Sequence, residues 1–372
     1  MARSLTYQPA LDGLRALAVA AVIAQHFGWS IIGFHGVTIF FVLSGYLITG
    51  LLVDEHERTG RLDLRAFWRR RFARLAPALL LAVAATVVWL VVTGVAFGRW
   101  GAGLFGSLTY STDVLEQTPW LPHVSTNFEW SWSLAAEEQF YLLWPALLLV
   151  TYAGVRGWWR ARSRTAGACV ALVGLAWLLR WQMVASHVGP GRVNFSFESH
   201  VDALALGGLI AVLTVGRRFG RIARASAAVV GMAGAVALLA IMLRGTERPR
   251  ELLPVDAGGY GLAALLAAAV VLGLVLAPRA LPARLLGVRP LVHVGRLSYG
   301  LYLWNMLIKH VYEHVTGWEV GRQRWAEIVA IGALLGVCEL SYRYVEVPLR
   351  QRWTHRSVPA PAATEAPALA AA

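Results

Sequence analysis

Long apolar stretches separated by short polar loops dominate the hydrophobic pattern of the chain. A bilayer core is about 30 Å thick, so a spanning helix needs roughly 20 mostly apolar residues. Ten stretches meet this requirement, at approximately residues 11–27, 33–53, 75–97, 131–152, 165–186, 202–216, 226–243, 258–277, 297–315 and 325–344. A shorter, more polar stretch at 101–115 is interpreted as a re-entrant or interfacial segment. The pattern predicts an all-α fold, a polytopic membrane helix bundle of about ten transmembrane helices.

Composition agrees with this class of protein. The chain is 57% hydrophobic and only 15% charged, whereas soluble domains average about 25% charged residues. It therefore lacks the residues to cover a soluble surface, and its net charge of +13 is not interpreted as a nucleic-acid-binding signal. Cys169 and Cys338 lie in apolar runs with no CxxC partner, which excludes a disulfide scaffold and a thiolate metal site.

The arginines predict an orientation. Most of the 34 basic residues fall in alternate loops, and these loops are cytoplasmic if the N-terminus is cytoplasmic. An eleventh span at 101–115 would invert every later loop. We therefore expect both termini in the cytoplasm and a multi-pass protein of the plasma membrane. Residues 1–356 are predicted to form one transmembrane domain, and the Ala- and Pro-rich residues 357–372 a disordered tail.

Three ionisable residues lie in the first span, where such groups are expensive and often functional. Arg15 and His26 are eleven residues apart, within about 20° of three full turns and roughly 16 Å along the axis. They are therefore predicted to share one helix face. Asp12 lies one turn before Arg15 and is expected to pair with it.

The second span carries the small or polar residues Ser44, Gly45, Tyr46 and Thr49 at helical spacing. Two interpretations stay open here, close helix packing through small residues and the lining of a pocket.

The loop that follows the second span reads FWRRRFARLAP. Arginines at a membrane edge commonly set topology and contact lipid headgroups. Arg71 and Arg74 are three residues apart and are expected to share a face, and guanidinium groups suit bidentate phosphate binding.

Two adjacent carboxylates, Glu137 and Glu138, lie about one turn inside the fourth span. Adjacent helical residues point about 100° apart, so at most one should face a shared cavity, with Tyr141 on the same side. An unpaired carboxylate would cost several kcal/mol, and Arg15 or His26 is the expected partner.

The sequence HVYEH at residues 310–314 matches the spacing of a zinc-hydrolase motif. It has no evident third ligand, and no metal site is predicted.

Several motifs occur together in one order. They are LDGLRALAV with Arg15-x10-His26, GVTIFFVLSGYLITGLL, RRRFARLAP, WSLAAEEQFYLLWP, VDALALGGLIA, GRLSYGLYLW and LSYRYVEVPL. In this order the chain resembles the acyltransferase-3 family of integral membrane acyltransferases over most of its length.

The resemblance implies a membrane O-acyltransferase without a permanently bound cofactor. Such enzymes transfer an acetyl or other short acyl group from cytoplasmic acyl-CoA to a sugar hydroxyl of a cell-surface or secreted glycan. The family's Arg-x10-His pair corresponds to Arg15 and His26, with the histidine essential, and its RxxR motif to Arg71 and Arg74 at the acyl-CoA. Ser44 and Tyr46 are assigned to the same donor site.

The remaining assignments complete this hypothesis. His26 is either a general base on the acceptor hydroxyl or a transient acyl carrier. Asp12 and Arg15 would balance the charge of the site, and Glu137 or Glu138 would orient the imidazole.

Three positions depart from motifs common in relatives, and all lie on the expected acceptor side. They are the run Glu129-Trp130-Ser131-Trp132, where many relatives have a histidine just before WSL, His200 in place of an arginine, and Asn305 in LYLWN. They leave the acceptor open, with an antibiotic sugar of the macrolide type as the alternative. A secondary transporter is the alternative from another class, although inverted repeats are not evident.

Overall fold

The structure is a computed structural model, and it describes residues 6–30, 33–115, 117, 127–155, 157–188, 190–247 and 259–355. The α-helices of these residues are α1 (Pro9–His26), α2 (Gly33–Thr59), α3 (Leu64–Val92), α4 (Gly101–Thr109), α5 (Thr112–Leu115), α6 (Trp132–Tyr152), α7 (Trp158–Ala185), α8 (Pro190–Phe195), α9 (Val201–Thr214), α10 (Arg221–Glu247), α11 (Gly259–Leu276), α12 (Leu281–Leu286), α13 (Arg289–Thr316), α14 (Arg324–Ser341) and α15 (Val347–His355). No strand occurs in the described residues, so the predicted all-α class is confirmed. The predicted tail at 357–372 lies outside them.

Each predicted span coincides with a helix of this set, and the stretch at 101–115 forms the two short helices α4 and α5. By length and hydropathy, six helical segments are able to cross a membrane. They are Gly33–Thr59, Leu64–Val92, Trp158–Ala185, Arg221–Leu243, Gly259–Leu276 and Arg324–Trp353. The chain is therefore a multi-pass helical membrane protein. The total of about ten spans and the sides of the termini stay predictions.

Helix boundaries follow local signals in the sequence. The Asp63 carboxylate accepts a hydrogen bond of 2.9 Å from the Ala66 amide and so caps the start of α3. At the other end of a helix, Gly317 adopts a left-handed φ of 69° and ends α13. Helix α3 therefore begins well before the predicted span and carries the arginine-rich segment on its first turns.

Helices α1 and α13 pack against each other and run in the same direction. Gly295 lies so close to Asp12 that an added Cβ would sit 1.9 Å from its carbonyl oxygen. Further along, Arg15 bonds to Ser298 and His26 to Asn305. We call the end where both helices begin the N-terminal face and the opposite end the far face. Because α2 starts beside Gln25, it returns to the N-terminal face.

Candidate active site

Helix α1 presents its two central polar residues to α13. The Arg15 Nε donates to Ser298 Oγ over 3.1 Å, and the His26 Nδ1 is hydrogen-bonded to Asn305 Oδ1. The eleven-residue spacing therefore places both side chains on one face, as it predicts. They stand at different depths, with Arg15 nearer the N-terminal face.

Asn305 fixes which ring nitrogen of His26 carries the proton. Its amide nitrogen donates to the carbonyl oxygens of Leu301, at 3.2 Å, and Tyr302, at 2.5 Å. The amide oxygen therefore faces the imidazole, and an oxygen there can only accept. His26 consequently donates through Nδ1, which leaves the Nε2 lone pair for other partners. In the sequence, Asn305 stands out only as a departure from a motif common in relatives, and nothing there connects it with His26.

A polar cluster surrounds Glu137 at the N-terminal side of this site. The hydroxyls of Ser44 and Tyr141 both donate to its Oε1, and Arg71 Nη2 lies 3.6 Å from the same oxygen. The Arg71 guanidinium also stacks over the Tyr141 ring, 3.5 Å from its centroid. We call these four residues the Arg71–Glu137 cluster.

The cluster corrects two expectations about the carboxylates. Glu137 pairs with Arg71 rather than with Arg15 or His26, and Asn305 rather than a glutamate orients the imidazole. One carboxylate faces the shared cavity, as predicted, and it is Glu137. Glu138 points about 100° away and is not among the described residues that line this cavity.

Asp12 also differs from its expected arrangement. Its carboxylate accepts a 2.7 Å hydrogen bond from the Tyr7 hydroxyl, and Tyr7 in turn accepts from Arg296 at 3.2 Å. Arg15 bonds to Ser298 instead. The predicted Asp12–Arg15 pair is therefore replaced, because Asp12 turns toward the start of α1 while Arg15 reaches across to α13.

The four residues proposed for the donor site do not all lie in one pocket. Arg71 turns into the cluster, whereas Arg74 is exposed but stays close enough to Arg15 and Arg71 for their charges to act on it. Ser44 lines the site, but Tyr46 lies about 200° round α2 and faces a different cavity beside Thr214. The expectation that Ser44 and Tyr46 share a pocket is wrong. Between them, Gly45 packs directly on Leu204.

Two adjoining cavities contain the site. The arginine cavity, about 50 Å³, is lined by Arg15, Ser44, Glu137 and Ser298 among others. The histidine cavity, about 260 Å³, is lined by His26 and reaches Gln25 and Gly33, which lie near the far face. Val37 and Tyr302 line both cavities, so the two cavities meet at these two side chains.

Aromatic side chains and one carboxylate form the other walls of the histidine cavity. They are Phe34, Trp130, Trp132, Phe195 and Glu129. Burial raises the pKa of the Glu129 carboxyl, an effect that Lys309 partly offsets. Flat apolar rings with a few polar groups suit a small ligand that has both apolar and hydroxylated faces. His200 packs behind this wall, 5.1 Å from the Trp132 ring centroid, and bonds to the Asn194 carbonyl.

Comparison with known sequences places the chain among acyltransferases. A family profile described as an acyltransferase domain matches residues 8–338. The chain is 32% identical over 367 residues to the peptidoglycan O-acetyltransferase OatA of Listeria monocytogenes, covering 94% of this chain and 56% of the relative. It is 29% identical over 368 residues to the O-acetyltransferase OatA of Staphylococcus aureus, covering 93% of this chain and 58% of the relative. The chain thus spans a little over half the length of these relatives. No solved structure matches it.

Proposed function

We propose that this chain, which belongs to the acyltransferase-3 family of membrane acyltransferases, transfers an acetyl group from acetyl-CoA to a sugar hydroxyl of a cell-wall glycan. The donor would reach His26 from the N-terminal face through the Arg71–Glu137 cluster, and the acceptor from the far face. The observation that carries this proposal is the pair of adjoining cavities, one lined by Arg15 and the other by His26.

In this proposal the imidazole of His26 is the general base. With Nδ1 committed to Asn305, Nε2 removes the proton from the acceptor hydroxyl as that oxygen attacks the thioester carbonyl carbon. Collapse of the tetrahedral intermediate breaks the C–S bond, and the imidazolium returns the proton to the departing thiolate. A positioned base contributes about 10² to 10⁴-fold to the rate.

The same nitrogen also allows a two-step order. Nε2 would first attack the thioester, release coenzyme A and carry the acetyl group until the acceptor arrives. Labelled acetyl-CoA without acceptor, followed by a rapid quench, separates the two orders. A labelled protein after the quench indicates the acyl carrier, and an unlabelled protein indicates direct transfer.

The donor side is proposed from charge. Arg71 and Arg74 would bind coenzyme A phosphates at the N-terminal face. The concentration of arginines in alternate loops supports a cytoplasmic position for this face in the plasma membrane. A cavity of about 50 Å³ holds only a few waters, since about 10–15 Å³ of such space admits one. The pantetheine arm therefore passes only when the side chains of the Arg71–Glu137 cluster move apart. While the cluster is closed, it keeps water from the thioester.

The acceptor is proposed from the histidine cavity and the relatives. Its volume of about 260 Å³ suits one sugar ring of a longer glycan, with aromatic faces against the ring and Glu129 available to accept from a hydroxyl. The matched relatives are named for O-acetylation, and the Listeria protein for peptidoglycan. A peptidoglycan sugar is therefore the acceptor we propose.

The test uses the purified protein in liposomes. Labelled acetyl-CoA is supplied together with peptidoglycan disaccharide fragments or with a macrolide glycoside, and the products are analysed by mass spectrometry. The proposal predicts one added acetyl ester on the disaccharide. Acetylation of the macrolide sugar alone would contradict the proposed acceptor, and no consumption of acetyl-CoA with any hydroxylated acceptor would contradict the reaction.

A further inference from the structure

Three adjoining cavities form a trench on the N-terminal face, away from the cavities of Arg15 and His26. Their volumes are about 740, 400 and 770 Å³. The first and second share Gly216 and Arg217, and the first and third share Arg224 and Pro278. We call this continuous surface, which surrounds the turn between α9 and α10, the basic trench.

The charge of the basic trench is unbalanced. Its described lining includes five arginines that no described acid pairs with: Arg217, Arg218, Arg221, Arg224 and Arg279. Glu57 is the one acidic residue among the described lining residues, and it is held by Arg162 at 2.6 and 2.7 Å. A cavity with several uncompensated guanidinium groups attracts phosphate, which guanidinium binds in bidentate geometry.

Arg217 lies at the centre of the trench and has unused hydrogen-bonding capacity. Its guanidinium packs over the Trp159 ring, 4.8 Å from the centroid, and its Nε is buried without a hydrogen-bond partner among the described residues. Burial and the nearby charge of Arg162 lower the pKa of Arg217, an effect that Glu57 partly offsets. In the same cavity the amide oxygen of Gln8 is buried and also unpartnered, so it is able to accept from a ligand hydroxyl.

Phosphate could reach this trench from a lipid headgroup or from coenzyme A, and the surroundings favour the lipid. Trp158 and Trp159 are each 57% exposed beside the arginines, and Ile222 is 84% exposed. Exposed tryptophans at the level of basic residues are typical of a membrane interface. In addition, the trench and the arginine cavity lie on opposite sides of α2, since Tyr46 lines the first and Ser44 the second.

We propose that the basic trench binds the headgroup of an anionic phospholipid that carries both a phosphate and a free hydroxyl, as phosphatidylglycerol does. The arginines around Arg217 would hold the phosphate and Gln8 the hydroxyl, while the acyl chains lie against the exposed apolar side chains of α10. Basic pockets between transmembrane helices are known to bind such headgroups. The site does not depend on the catalytic role of His26.

Native mass spectrometry on the whole protein tests this site. The protein is reconstituted in phosphatidylcholine nanodiscs that contain a minority of phosphatidylglycerol, and the lipids retained on release are counted. We expect phosphatidylglycerol to be retained selectively. Its retention should fall about fivefold for each arginine removed in Arg217→Ala and in Arg217→Ala/Arg224→Ala, since one arginine contributes about a factor of five near an anionic surface.

Controls separate the site from general charge and from folding. Arg58→Ala removes an arginine that is paired with Asp54 outside the trench and should retain phosphatidylglycerol like the unaltered protein. If Arg217→Ala fails to fold, Arg218→Ala removes an exposed trench arginine and should still lower retention. Equal retention in all variants would overturn the proposal. Displacement of phosphatidylglycerol from the unaltered protein by excess coenzyme A would instead assign the trench to the donor.

Discussion

At the scale of single residues, the helical period predicts which residues share a face, but it does not predict their partners. Arg15 and His26 are aligned by the period of α1 alone, and the structure agrees. Asn305 is 279 residues from His26, and no periodicity indicates which helix packs against α1. The same limit explains Glu137, whose partner Arg71 lies on α3.

Asn305→Ala tests the positioning of the imidazole. Without the acceptor oxygen the ring is free to adopt the other tautomer, and we expect kcat to fall by about one to two orders of magnitude. The KM values for acetyl-CoA and acceptor should change little. Asn305→Asp keeps an acceptor at the same place and should recover part of the rate. A kcat of Asn305→Ala equal to that of the unaltered protein, measured with both substrates saturating, would show that Asn305 has no positioning role.

Arg71 and Arg74 are expected to differ. Arg71→Ala leaves Glu137 without its ion-pair partner and disturbs the Arg71–Glu137 cluster, so kcat/KM for acetyl-CoA should fall at least about tenfold. Arg74→Ala removes only the proposed phosphate contact of an exposed side chain and should mainly raise the KM for acetyl-CoA. Steady-state kinetics with varied acetyl-CoA measures both. Equal and small effects of the two changes would mean that the cluster does not lie on the donor path.

At the scale of helices, the sequence predicts the elements better than their contacts. The polar pattern of α2 is compatible with close helix packing and with the lining of a pocket. In the structure, some of these residues pack against other helices and others line a cavity. Ser44 lines the arginine cavity, Gly45 meets α9, and Thr49 accepts a 2.8 Å hydrogen bond from the Trp144 indole. Successive helical residues point in different directions, so neighbours in the sequence serve different contacts.

Gly45→Ala tests the close packing of α2 on α9. An added Cβ would lie 1.9 Å from the Leu204 carbonyl oxygen, so the backbones must move apart, at a cost of about 1–3 kcal/mol. The thermal unfolding midpoint of the purified protein should fall. Gly167→Ala is the matched control, because no atom lies within 4 Å of its added Cβ. An equal midpoint for both variants would contradict the packing.

At the scale of the whole molecule, the hydrophobic pattern predicts the helical bundle, and loop charge predicts its orientation. The parallel course of α1 and α13 agrees with the predicted count, in which they are the first and ninth of ten spans and therefore cross in the same direction. The basic trench was not predicted, because it forms from loops and helix ends that are distant in the sequence.

Single cysteines with an impermeant thiol reagent test the orientation. Cys169 and Cys338 are buried and should give little background. Ten spans predict that Arg61→Cys and Arg218→Cys are labelled only from the cytoplasm, and Glu319→Cys only from outside. Labelling of Arg61→Cys and Arg218→Cys from opposite sides would mean that an odd number of crossings separates them, as an additional span at 101–115 would produce.

The most direct measurement compares acetyl transfer by His26→Ala with transfer by His293→Ala. His293 is an exposed histidine that bonds to Glu339, so its loss controls for removing an imidazole. Both variants are first shown to have the thermal unfolding midpoint of the unaltered protein. They are then reconstituted in liposomes and supplied with labelled acetyl-CoA and a peptidoglycan disaccharide. The proposed mechanism predicts that His26→Ala loses at least about 10²-fold in rate, while His293→Ala keeps the full rate. Undiminished transfer by a folded His26→Ala protein would contradict it.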